Sequence, residues 1–128
     1  MIADARVEAA RIRARGSAKS GAEHWWRQRL TALANVPLVI WLVVSFVSLS
    51  GAGYAEARAW LSGLFNATMM VLLILSTFFH ARLGIQVIIE DYVHGRALKV
   101  ASLVLLDFVV VALATACVLA TLAVFTGS

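Results

Sequence analysis

The chain has one cysteine, Cys117, and one proline, Pro37, among 128 residues. A lone thiol in an apolar stretch forms no internal disulfide and offers no thiolate cluster to a metal; a packed, inert side chain is its plainest role. One proline and eight glycines leave little material for linkers. Neither an internal repeat nor a low-complexity tract breaks the chain, so a single small domain follows. Charge is scarce as well. Asp, Glu, Lys and Arg make up 14% of the residues, and none falls between Arg29 and Glu56 or from Ala59 to Ala81. No flavin- or cluster-binding motif is recognisable.

What fills the chain is hydrocarbon. It is 62% hydrophobic with a mean hydropathy of +0.88, whereas soluble domains hold their apolar share near about 45–50%. The net charge of +4 is not spread out: seven of the eleven basic residues, Arg6 to Arg29, precede the first apolar run. A basic stripe that stops at a membrane boundary fits anionic lipid headgroups and the positive-inside bias better than a nucleic-acid partner.

Three apolar runs follow a polar arm of residues 1–29: about 30–50, 60–90 and 99–125, together a transmembrane domain of residues 30–128. Each is long enough to cross a hydrocarbon core of about 30 Å as a helix. Barrel strands would be shorter and would alternate, so the fold class is all-α, with three transmembrane helices. The first run starts too late and extends too far for a signal peptide. Pro37 falls in the early turns of that run, where a missing backbone donor costs least. The Arg- and Ala-rich arm faintly resembles an organellar transit peptide, an idea that Asp4 and Glu8 weaken. Residues 50–55 form a glycine-containing turn, and Gly95-Arg96 a second. Lys and Arg concentrate on the arm and on the second loop (Arg96, Lys99), which puts the N-terminus in the cytoplasm and the C-terminus in the periplasm. Trp25 and Trp26 mark one membrane interface and Trp60 the other.

His80 interrupts the second run. A histidine in hydrocarbon needs a partner or a task. Gly84, Val87 and Asp91 share its helical stripe, and Asp91 lies about 16 Å further along a helix. Three readings of His80 stay open: hydrogen bonding between helices, a proton path, or axial ligation of haem iron. Gly84 admits a flat group or a neighbouring backbone. Asp91-Tyr92 is either an interfacial helix end or a hydrogen-bond and proton source for a quinone at the membrane surface. Arg82 and Asp107 would come to similar depth if two helices turn back near Gly95, and would then either pair with each other or meet a haem propionate and a partner subunit respectively.

The stretch from His80 through Gly84 to Asp91-Tyr92, with Arg29-Leu30-Thr31-Ala32 upstream, resembles the D-type hydrophobic membrane anchor subunits of succinate dehydrogenase (respiratory complex II). The resemblance implies a three-helix anchor in which His80 is one axial ligand of a haem b shared with the C-type cytochrome b anchor subunit. Tyr92 and Asp91 would bind ubiquinone and help supply protons, and Arg29 would face a haem propionate. Arg29 has the plainer alternative of an interfacial, lipid-contacting arginine. FAD and the iron–sulfur clusters would reside in the flavoprotein and iron–sulfur subunits on the cytoplasmic side of a bacterial inner membrane. Rival readings are a fumarate reductase anchor and a cofactor-free small transporter or assembly component.

Overall fold

The computed structural model describes residues 2–127, with side chains for residues 6–8, 10 and 20–127. The described residues form four helices and no strand: α1 (Ile2–Ser48), α2 (Tyr54–Leu61), α3 (Leu64–Tyr92) and α4 (Arg96–Thr126). Three segments, Ser20–Ser48, Leu64–Tyr92 and Arg96–Thr126, are long and apolar enough to span a membrane. The chain is an all-α, three-span membrane protein.

The arm does not stand apart from the first span. α1 runs unbroken through it, because alanine and arginine are strong helix formers and because Glu23 pairs with Arg27 one turn on. The side chains of Arg11, Arg13, Arg15 and Lys19 lie outside the described residues. One consequence corrects the reading of Pro37, which sits deep inside α1 and not in its early turns. Such interruptions persist in membrane helices where neighbours satisfy the released carbonyl.

Between the first two spans the chain makes a turn and then a helix that the apolar pattern did not announce. Gly51 takes φ +86°, a conformation open to glycine because a Cβ would clash there. Glu56 then accepts the Gly53 N–H at 2.7 Å, capping α2 with half of a capping box. Trp60 belongs to α2, and the long helix begins only at Leu64. The Trp60 indole stacks on Trp41 of α1, with centroids 5.6 Å apart and planes 21° apart, so the ring packs on protein. Asn66 donates to the Trp60 carbonyl at 2.8 Å and fixes the α2–α3 corner.

α3 is the middle helix: it packs against both α1 and α4, whose backbones do not approach each other closely among the described residues. Few residues are buried within the chain itself. Leu38, Ala67, Leu73 and Leu83 form the apolar core, joined by Ser45 and Thr121. Cys117 is exposed on α4, so within this chain it is not the packed thiol that the sequence favoured.

Candidate functional site

The two sides of α3 carry different chemistry. Successive residues advance about 100° around a helix, so His80 and Arg82 lie on nearly opposite faces. His80 turns to α1 and Arg82 to α4.

On the α1 side, Thr31 Oγ1 lies 3.0 Å from His80 Nδ1. The same hydroxyl is 2.9 Å from the Arg27 carbonyl and 3.0 Å from that of Gln28. His80 is half-buried, and its Nε2 has no hydrogen-bond partner among the described residues. A Cβ added to Gly84 would meet Gln28 Nε2 at 3.6 Å. Gly84 thus faces α1, as the neighbouring-helix reading has it. The helices run antiparallel, and in the register set by Thr31 and His80 the buried Leu38 and Leu73 come level. His24, Gln28, Thr31 and Asn35 recur at helical spacing along this seam. His24 Nε2, Gln28 Oε1, Asn35 Oδ1 and, on α3, Ser76 Oγ are buried without a partner among the described residues. The sequence reading had assigned His24 to the polar arm; it lies on the seam, half-buried. Below His80 a notch of about 310 Å³ opens among Ser20, Glu23, His24, Arg27, Arg82 and Gln86.

On the α4 side, Arg82 forms a two-pronged pair with Asp107: Nε to Oδ1 at 2.5 Å and the second prong to Oδ2 at 3.2 Å. Arg82 also reaches Gln86 at 3.4 Å, and Gln86 donates to Glu90 at 2.8 Å. Lys99 Nζ caps the Glu90 carbonyl at 2.7 Å. A planar guanidinium meets a carboxylate through two parallel bonds, and the pairing lowers the cost of both charges in lipid. Of the two readings that depth left open, the interhelical pair is the one present.

Asp91 and Tyr92 end α3 and are exposed, Tyr92 by 78%. Twelve residues of unbroken helix separate Tyr92 from His80, about 18 Å of rise, so they occupy two levels of one helix. Neither makes a side-chain contact with His80. Arg29 is exposed, with its guanidinium 4.2 Å from the centre of the Trp25 ring. It stands two residues from Thr31, hence on roughly the opposite face of α1. A groove of about 510 Å³ lies at the far end between α2 and the end of α4, lined by Tyr54, Arg58 and Phe125 among others. None of the candidate residues reaches it.

Thr31 and Gln28 are the neighbours of His80 and Gly84 that the second-helix pattern did not supply. Their signal was polar residues at positions 24, 28, 31 and 35, one stripe running into an apolar span. Among the described residues no group of three or more His, Cys, Asp or Glu could hold a metal ion. A metal site built on His80 therefore takes fewer than three such ligands from these residues, and an axial haem position asks only one of a chain.

The chain matches the family described as succinate dehydrogenase/fumarate reductase transmembrane subunit over residues 6–124. It belongs to that family. The hydrophobic membrane anchor subunit of succinate dehydrogenase from Rickettsia bellii is 34% identical over 100 residues, covering 77% of this chain and 79% of that one. The succinate dehydrogenase membrane anchor subunit of Reclinomonas americana is 32% identical over 96 residues, 73% of this chain and 80% of that one. Family membership and three spans make the chain a membrane anchor subunit and set aside the transporter reading. They also give the stripe from His80 to Tyr92 its context, a transmembrane subunit within a redox family.

Proposed function

We propose that this chain anchors succinate dehydrogenase in a bacterial inner membrane and builds part of its haem and ubiquinone sites. The observation that carries the reading is His80. Its imidazole is half-buried in a membrane-length helix, held at Nδ1 and without a partner at Nε2 among the described residues. A nitrogen lone pair kept free at that depth suits an axial iron ligand, and the donor chemistry fits haem b. The second axial ligand would come from the C-type anchor subunit. When bound, the haem supplies a one-electron store beside the quinone site.

The work of this chain's own residues follows from their positions. His80 holds a ligand atom at a fixed height. Tyr92, exposed at the end of α3, offers a phenol O–H to a quinone carbonyl at the membrane surface. Asp91 beside it provides a carboxylate that takes protons from water and passes them toward the reduced ring. Arg29 makes no ion pair among the described residues and keeps its guanidinium on Trp25; it is the proposed propionate partner. Electrons would arrive from the iron–sulfur subunit, which the flavoprotein subunit feeds by oxidising succinate. The basic arm supports a cytoplasmic N-terminus, on the side of those subunits, and a periplasmic C-terminus.

The test is purification of the complex through a tag on this chain, with a reduced-minus-oxidised optical spectrum and identification of the subunits that come with it. A b-type signal lost in His80→Ala, with flavoprotein and iron–sulfur subunits present, is the expected result. A wild-type preparation lacking both haem and those subunits would overturn the reading. A fumarate reductase anchor falls under the same family description, but the relatives named above are succinate dehydrogenase subunits.

A further inference from the structure

We propose that Thr31 is the positioning residue for the haem ligand: its hydroxyl fixes His80 in the Nδ1-protonated form and turns Nε2 away from α1. The proposal rests on the reading of His80 as an iron ligand and adds how the imidazole is prepared for that task.

The argument counts protons. A threonine hydroxyl has one hydrogen to give and two lone pairs to offer. Thr31 Oγ1 stands 2.9 Å from the Arg27 carbonyl and 3.0 Å from the Gln28 carbonyl. Neither carbonyl can donate, so those two contacts exist as hydrogen bonds only if the Thr31 proton points into its own helix. Toward His80 Nδ1, 3.0 Å away, the oxygen then presents a lone pair, and the ring nitrogen must supply the hydrogen. A neutral imidazole carries one N–H; with it on Nδ1, the lone pair is on Nε2.

The opposite tautomer would make Thr31 donate to Nδ1 and abandon both carbonyls. It would also leave an N–H on Nε2 with no acceptor among the described residues. It has one hydrogen bond fewer and no compensation. Because the two ring nitrogens point to opposite sides of the imidazole, tying Nδ1 to α1 directs Nε2 out of the seam. Metal-bound histidines commonly donate their other N–H in this way, which orients the ring and raises its basicity as a ligand.

A helical threonine or serine suits the task because its hydroxyl can bond the carbonyls three and four residues back, as Thr31 does, and that contact fixes where the oxygen lies. Gln28 against Gly84 on one side, and the buried Leu38 and Leu73 on the other, hold the two helices at this register.

The experiment compares Thr31→Val and Thr31→Ser in the purified complex, reading haem retention during detergent dilution, the haem midpoint potential and the low-temperature spectrum. Valine keeps the volume and removes the oxygen. The expected result is an assembled Thr31→Val complex that holds haem about 10–100-fold more weakly, with its potential shifted upward as the ligand becomes a poorer electron donor. Thr31→Ser should behave as wild type in retention and potential. A Thr31→Val complex with unchanged retention and potential would overturn the proposal. So would failure of Thr31→Val to assemble beside a haem-replete Thr31→Ser, because the hydroxyl would then serve the fold and not the imidazole. His80→Ala separates the two levels: if it retains the haem, the ligand assignment itself fails. If it loses the haem while Thr31→Val is unaffected, only the role of Thr31 falls.

Discussion

Replacing Asp107 with asparagine probes the ionic side of α3 without changing its shape. Asparagine keeps one acceptor oxygen near Arg82 but removes the charge and one prong of the fork. The cost is bounded from two directions. An unpaired arginine at the centre of a membrane helix costs about 2.5–3.5 kcal/mol on insertion scales. Arg82 lies ten residues from the end of α3, and its long stem can carry the guanidinium toward the interface. Side-chain exposures of 34% for Arg82 and 48% for Asp107 place the pair short of full burial, which lowers the cost further. We expect Asp107→Asn to lose about 1–2 kcal/mol, a factor of about 5–30 in the equilibrium holding α4 on α3. The double variant Arg82→Leu/Asp107→Leu removes both charges and should match or exceed wild type, since apolar pairs often replace ion pairs without loss. The assay is the temperature at which this chain dissociates from the detergent-solubilised complex. An unchanged temperature in Asp107→Asn together with a lower one in the double variant would refute the reasoning.

Two further substitutions separate packing from chemistry. Gly84→Ala should leave assembly intact, because its Cβ would rest in ordinary contact with Gln28, and it should add helix stability of up to about 1 kcal/mol. A change in the haem spectrum with assembly unchanged would instead place the cofactor edge against this glycine. Tyr92→Phe should assemble normally, since 78% of the residue is exposed. Its succinate-to-ubiquinone turnover should fall at least about tenfold through the lost phenolic proton. Equal turnover in the two proteins would remove Tyr92 from the quinone site.

Hydropathy made the three spans legible because each is a long run without charge, and lipid permits little else but a helix there. The Arg82–Asp107 pair was legible for a related reason: thirteen residues precede Gly95 on one side and twelve follow on the other, so a tight turn brings them level. α2 was less visible. Glu56 and Arg58 disguise it as loop, although Gly53 followed three residues later by Glu56 is a capping signal. The continuity of α1 was hidden by its polarity, which says where a segment lies but not whether it is helical. The link from Thr31 to His80 depends on register between two helices 49 residues apart in sequence, which no local pattern contains. The second-helix spacing supplied His80, Asp91 and Tyr92 and their separation into two levels, which the unbroken length of α3 bears out.

The arrangement of α1 and α4 on either flank of α3, with no close backbone approach between them among the described residues, has a mechanical consequence. Strain applied at the ionic flank reaches the imidazole flank most directly across the diameter of that single rod. That rod offers leucine and glycine there, Leu83 tightly enclosed and Gly84 against a glutamine. A tug on α4 would therefore reach the His80 side as a roll or tilt of α3 as a whole, with the end bearing Tyr92 carried along. The height of the imidazole and the position of the phenol are geared together by one axle.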